Sequence, residues 1–378
     1  MSDYVYLDHN ATTTARPEAI QAVTSVLASV GNPSSIHKPG REARKVMEQA
    51  RAAVAALVNG LAEDVVFTSG GTEANNLSLT GCGRPRRLVS AVEHPSVLNG
   101  GGEIIQVDEN GIVDLEQLDG LLLSDDTPAL VSVMLANNET GVIEPIKDIV
   151  AIAHRHGALV HCDAIQAAGK ISVDIADLGV DIMSLSAHKI GGAAGVGAVV
   201  VPGLGSGTGC DLKGPLFGGG QEHGYRVGTE NLAGIAGFGA AASAALAGLS
   251  DFAELANLRD AIDKAIKTIE PDAMVLGADV ERLPNTTCLT MPGTDSDTQV
   301  MAFDLAGLGI SAGSACSSGK AKASGVLKAM RVSEENARSV IRVSLGWPSE
   351  ESDVEAFVAV WQDLYGRTSA QKINLPAA

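Results

Sequence analysis

The chain has 378 residues, 45% of them apolar, which is enough to bury a large core in two or three domains, and no apolar run approaches the length needed to cross a bilayer. A formal net charge of −18 with no segregated basic patch argues against nucleic acid as a partner, and the first residues lack a signal peptide's basic and apolar regions, so a cytoplasmic protein is expected. The five cysteines, at 82, 162, 210, 288 and 316, form no close pairs and indicate neither a disulfide framework nor a zinc knuckle.

In chain order, Tyr4 to Asp8 reads as a short strand or arm, followed by a polar loop from Asn10 to Thr14. Pro17 and Gly31 frame a helix over Glu18–Val30, and helical spacing returns over Gly40–Val58. Asp64–Thr68 reads as a strand that runs through Ser69-Gly-Gly-Thr72 into a helix. Such a turn presents bare main-chain N–H groups at the positive end of the helix dipole, a natural anion site.

Strands and helices then alternate. Arg87–Val92 ends at Glu93-His94-Pro95, and Leu130–Leu135 ends at Ala136-Asn-Asn-Glu-Thr-Gly141. A helix over Ile146–His156 precedes the strand Ala158–Cys162, which ends at Asp163-Ala-Ile-Gln166. Val180–Ser186 and the strand from Ala198 flank Ala187-His-Lys-Ile-Gly-Gly192. Polar residues therefore recur at the carboxyl ends of apolar strands, where open α/β sheets bind ligands. Lys189 stands out among them, because burial lowers an ammonium's pKa towards the range where the neutral amine is a nucleophile; the alternative is a lysine snorkelling to a turn surface.

A glycine-rich segment, Gly203–Gly220, leads through Gln221–Asn231 to an alanine-rich helix ending near Leu249. Ser250-Asp251 is expected to cap a helix over Phe252–Ile269, where a smaller α+β domain begins. There Thr286–Met291 reads as a strand, Thr298–Leu308 as a helix, and Val340–Leu345 as a strand containing Arg342. Cys162 and Cys288 fit buried strand positions, and Cys82 and Cys210 fall in glycine-rich turns. Cys316 differs, lying in a run of Ser, Ala and Gly from Ile310 to Gly319 that suits a loop able to carry a thiolate between two places.

A lysine for an aldehyde, an anion nest, and a carboxylate at a strand end are the parts that pyridoxal phosphate requires. The chain resembles the cysteine desulfurases of the nitrogen-fixation and iron–sulfur-cluster type, fold-type-I pyridoxal enzymes of aminotransferase class V. The resemblance spans nearly the whole chain. It rests on Tyr6-Leu-Asp-His-Asn-Ala-Thr-Thr13, Gly31-Asn-Pro-Ser-Ser-Ile-His37, Thr68-Ser-Gly-Gly-Thr-Glu73, Glu93-His-Pro95, Asn137-Asn-Glu-Thr-Gly141, Asp163-Ala-Ile-Gln166, Ser186-Ala-His-Lys189, Gly218-Gly-Gly-Gln-Glu222, Gly228-Thr-Glu-Asn231 and Gly313-Ser-Ala-Cys-Ser-Ser318.

The resemblance implies an α/β fold with a mostly parallel seven-stranded sheet and a smaller C-terminal α+β domain. The expected division is an arm over 1–15, a cofactor domain over 16–250, and a small domain over 251–378 carrying Cys316. Lys189 would hold the cofactor, Asp163 would pair with its pyridine nitrogen, and Gln166 would bond its phenolic oxygen. Gly71, Thr72, Ser186 and His188 would hold the phosphate, with Thr229 reaching in from a neighbouring subunit of a homodimer. His94 would stack on the ring and move protons, Asn138 and Arg342 would clamp the carboxylate of L-cysteine, and Cys316 would take the sulfur as a persulfide, releasing alanine. The acceptor would be a scaffold or carrier protein for iron–sulfur assembly or other thiolation. No resident metal is expected, Cys316 making at most a transient contact with an iron–sulfur cluster. Gly192-Ala-Ala-Gly195 departs from the Gly-Pro-X-Gly more usual after the lysine. The alternatives are a selenocysteine lyase or aminotransferase of the same class, and an idle protein that binds sulfur carriers.

Overall fold

The computed structural model describes residues 4–204, 210–313 and 324–373. In chain order its strands are β1 (Val5–Tyr6), β2 (Val65–Thr68), β3 (Arg86–Ser90), β4 (Glu103–Ile105), β5 (Ala129–Met134), β6 (Leu159–Asp163), β7 (Ile182–Ser186), β8 (Gly197–Val200), β9 (Thr286–Thr290), β10 (Leu308–Gly309), β11 (Ser311–Ala312) and β12 (Val340–Ser344). Seven of them form one sheet in the order β2-β8-β7-β6-β5-β3-β4. It is parallel except for β8, which runs antiparallel to β2 and β7. This is the mostly parallel seven-stranded sheet that the resemblance implies.

The strands are apolar on both sides because both sides are covered. In β8, Ala198 and Val200 enter one core and Val199 enters another. The first core lies under α1 (Pro17–Leu27) and α2 (Lys38–Leu57), which pack on the helix Leu232–Ala247. The second lies under α3 (Gly71–Gly81), which contributes Ala74, Leu77 and Leu79. A third core, with Leu7, Phe303, Ile341, Phe357 and Trp361, forms around the antiparallel sheet β11-β12-β9. β1 pairs parallel with β10, so the start of the chain is stitched to that region.

Several element bounds differ from the sequence reading. The helix after Pro17 ends at Leu27 rather than Val30, because Ala28 and Ser29 turn back to bond Thr24 and Val26. Ser250 and Asp251 lie inside a short helix, Leu249–Ala253, instead of capping the longer Leu255–Ile269. The helix expected over Thr298–Leu308 runs from Ser296 to Leu305, since Leu308 is drawn into pairing with Val5. β4 and the helix Leu115–Ser124, which Asp114 caps through Gln117 N, have no counterpart in that reading. Among the described residues no single helix is long and apolar enough to cross a membrane.

Candidate active site

The ends of β2, β6 and β7, the segment after β3, and β12 build the site. β2 ends at Thr68, and Gly70, with φ at +154°, makes the turn into α3 that a side chain would resist. Next along the sheet edge, β7 ends at Ser186, whose Oγ is buried without a hydrogen-bond partner. Ser186 Cβ lies 3.4 Å from the place a Cβ on Gly71 would take, so the unpaired hydroxyl abuts the first turn of α3. A helix start with a buried, unpaired hydroxyl beside it is a donor set suited to an anion such as a phosphate. Thr72 sits exposed in the same turn.

Lys189 closes the helical turn Ala187–Lys189 directly after β7, with its Nζ 2.5 Å from Asn10 O and 2.8 Å from Ala11 O. His188, beside it, meets Thr12 Oγ1 through Nδ1 at 3.2 Å. Burial first and the Lys189 charge second bring the His188 pKa down to about 4.

Asp163 ends β6 and is buried. Its Oδ1 accepts from Ile165 N at 3.0 Å and its Oδ2 from Asn75 Nδ2 at 2.7 Å. Burial raises its pKa, against the pull of those bonds and of His94 and Lys189. His94 follows β3, half-buried, with Nδ1 facing Ser96. Burial lowers its pKa; the Asp163 charge opposes that shift and the Lys189 charge adds to it.

Asn10 joins these parts to the small sheet. Its main-chain oxygen accepts from Lys189 and, at 2.9 Å, from Gln166 Nε2. Its Oδ1 accepts from Lys170 Nζ at 2.6 Å and Asn285 Nδ2 at 3.1 Å, while its Nδ2 donates to Thr286 Oγ1 at 2.9 Å. On β12, Arg342 donates to Asn138 O at 2.9 Å and to Asp8 Oδ1 at 2.5 Å, and its buried Nε has no partner. A guanidinium so held keeps three N–H donors, the buried Nε–H among them, to offer a ligand carboxylate.

Lys189, Gln166 and Asn138 thus meet at Asn10, Arg342 joins them through Asn138 O, and Asp163 and His94 are linked through Asn75 and Ser96. Ser186 and His188 lie on the segment that carries Lys189. Thr229 is exposed and has no side-chain hydrogen bond to this set among the described residues. Cys316 lies outside the described residues. Sequence reasoning passed over Asp8, Asn10, Asn75, Ser96 and Lys170. Asn75 carried a signal, since it stands one helical turn after Gly71, a residue already singled out, at the start of α3. Among the described residues no group of three or more His, Cys, Asp or Glu is placed to hold a metal ion.

Residues 5–357 match the family model for aminotransferase class V. The chain is 39% identical to a cysteine desulfurase of Cereibacter sphaeroides over 94% of each chain. It is 38% identical to an IscS-like cysteine desulfurase of Mycobacterium tuberculosis, over 99% of this chain and 98% of that one. A solved NifS-like protein of Rickettsia africae superposes with a TM-score of 0.87 at 35% identity, over 96% of this chain and 99% of that one.

Proposed function

The chain belongs to the aminotransferase class-V family and, within it, to the cysteine desulfurases, and from that premise we propose that it takes the sulfur of L-cysteine with pyridoxal phosphate, yielding L-alanine and a persulfide on Cys316. The observation that carries the reading is at the end of β7. There a buried, unpaired Ser186 hydroxyl abuts the start of α3, and Lys189 follows three residues on.

Lys189 holds the cofactor, and Asp163 stabilises a proton on its pyridine nitrogen. Asn75 and Ile165 N keep the Asp163 carboxylate oriented for that contact. Gly71, Thr72, Ser186 and His188 hold the phosphate, completed by the partner subunit's Thr229 in a homodimer. Gln166 donates to the phenolic oxygen, its carbonyl being occupied by Lys170. The bound cofactor supplies an electron sink that acidifies the substrate Cα and weakens the bond to sulfur.

Asn138 and Arg342 receive the substrate carboxylate, the guanidinium through its unpaired Nε. Lys189 Nζ moves the Cα proton, with His94 beside it. The Cys316 thiolate attacks the substrate sulfur and keeps it as a persulfide for an acceptor protein, in iron–sulfur assembly or other thiolation. The enzyme is read as cytoplasmic.

The test is anaerobic incubation with L-cysteine and a thiol reductant, counting sulfide and alanine. Equal amounts are expected from the wild type, with sulfide lost in Cys316→Ala while the cofactor spectrum still responds to cysteine. A spectral response without sulfide from the wild type overturns the desulfurase reading.

A further inference from the structure

His94 has a fixed tautomer, and the residue that fixes it lies outside the motif that drew attention to the histidine. Nδ1 accepts from the main-chain N–H of Ser96 at 3.1 Å. A main-chain amide only donates, so Nδ1 carries a lone pair, and the proton of the neutral ring is on Nε2. The Ser96 side chain acts in the same sense. Asn75 Nδ2 gives one hydrogen to Asp163 Oδ2 at 2.7 Å and the other to Ser96 Oγ at 2.9 Å. The hydroxyl, already accepting from Asn75, directs its own hydrogen to His94 Nδ1 at 2.7 Å. A main-chain donor at one end and a carboxylate at the other fix the direction of every bond between them.

We propose that Ser96 is a positioning residue for this reaction: its amide and hydroxyl hold His94 with the proton on Nε2, and Asn75 ties that arrangement to the Asp163 carboxylate. The inference rests on the reading of His94 as a group that meets the substrate, and it narrows what His94 does there. The nitrogen left for a ligand is a donor, so His94 stabilises negative charge on the substrate. The removal of a proton from Cα falls to Lys189. The charged groups that face the ring are Asp163, at the end of β6, and Lys189, after β7. Their charges are opposite, and burial of the ring favours the neutral form.

The test uses the full-length holoenzyme labelled with nitrogen-15 histidine, with His94 assigned by comparison with His94→Gln. The expected wild-type spectrum, at pH values above the ring's protonation midpoint, has a protonated Nε2 and an unprotonated Nδ1. Ser96→Ala should move the protonation midpoint of His94 up by about half to one pH unit, the worth of one hydrogen bond to the neutral ring. Ser96→Thr, which keeps the hydroxyl, should leave it in place. A wild-type ring with both nitrogens averaged, or a Ser96→Ala midpoint unchanged from wild type, overturns the proposal. Kinetics give a second arm. Ser96→Ala should lower kcat by about threefold to tenfold with KM little changed, and Ser96→Thr should restore it. A Ser96→Ala kcat equal to wild type would overturn the positioning role. A chain that shows the expected nitrogen signals but no desulfurase activity would sink the functional reading while leaving the placement of His94 by Ser96 intact.

Discussion

Lys170 Nζ donates to Gln166 Oε1 at 2.7 Å, and this buried contact decides which end of the Gln166 amide faces the site. With the oxygen engaged, Gln166 presents N–H. Lys170 is held against acceptors alone, Gln166 Oε1 and Asn10 Oδ1, and burial, then the charges of Lys189 and Arg342, drive its pKa well below 10.5. A lowered folded pKa means that the unfolded chain binds the extra proton. Stability contributed by this group is therefore complete above 10.5 and is lost as pH falls. Lys170→Met should flatten the rise of stability as pH increases towards 10.5. Urea midpoints of both proteins across that range would show it, and parallel curves would mean that folded Lys170 stays charged.

Arg51 on α2 and Glu222 make a fully buried bidentate pair at 2.7 Å for both bonds. Glu222 Oε2 also accepts from Phe67 N, and Arg51 Nη1 donates to Val65 O, so the pair is bonded into the edge strand β2. Glu222 and His223 both have positive φ, at 43° and 55°, a conformation that only firm anchoring sustains. Arg51→Met should therefore cost about 3–5 kcal/mol, since it leaves a buried carboxylate uncompensated. Adding Glu222→Gln should cost much less than it does alone. Additive losses in a double-mutant cycle would mean that the two side chains are not coupled.

The sequence displays the chemistry of this site better than its scaffolding, and the reason is physical. Asp163 ends an apolar strand and Lys189 and His94 closely follow two others, and a polar residue near such a boundary stands out in a linear pattern. Asn10 does not, although it touches Lys189, Gln166, Lys170, Asn285, Thr286 and Ser344, because its partners come from segments up to 334 residues away. Asp8 is similar, paired with Arg342 across 334 positions. Six of the seven strands of the large sheet were legible because strands buried on both faces read as apolar runs, and the count of seven came from the resemblance. β4 was not, because two of its three residues are exposed and its pattern, Glu-Ile-Ile, is too short to carry a period.

Gly197 opens β8 against the turn that starts α3. A Cβ there would lie 2.6 Å from Gly70 C and 2.8 Å from Gly70 O, and both are main-chain atoms that cannot rotate aside. Gly197→Ala should displace Gly70 and with it the N–H groups offered to an anion. A destabilisation of about 1–3 kcal/mol is expected, with weaker retention of pyridoxal phosphate on dialysis. Gly195, where an added Cβ meets nothing within 4 Å but φ is +84°, serves as the comparison: Gly195→Ala should cost about 1 kcal/mol and spare cofactor retention. Equal retention by the two variants would sink the argument.

Two buried groups set opposing limits on stability with pH. His161 is held between Ser132 Oγ at 2.8 Å and Ser184 Oγ at 2.9 Å, and burial lowers its pKa from 6.5 to about 3. Its contribution is present above 6.5 and is lost as pH falls towards 3. Glu144 accepts from Val113 N at 3.0 Å, has a buried, unpaired Oε1, and is raised from 4.5 to about 8, mainly by burial. Its sign is reversed: the contribution is complete below 4.5 and is lost as pH rises through 8. The two slopes oppose each other between 4.5 and 6.5, so Glu144 is best isolated between 6.5 and 8. Glu144→Gln keeps an acceptor for Val113 N and removes the titration. It should gain on wild type by on the order of 1 kcal/mol per pH unit across that window, read from urea midpoints. If the difference between the two proteins stays constant with pH, Glu144 is ionised throughout and the assignment of the alkaline limit to it is wrong.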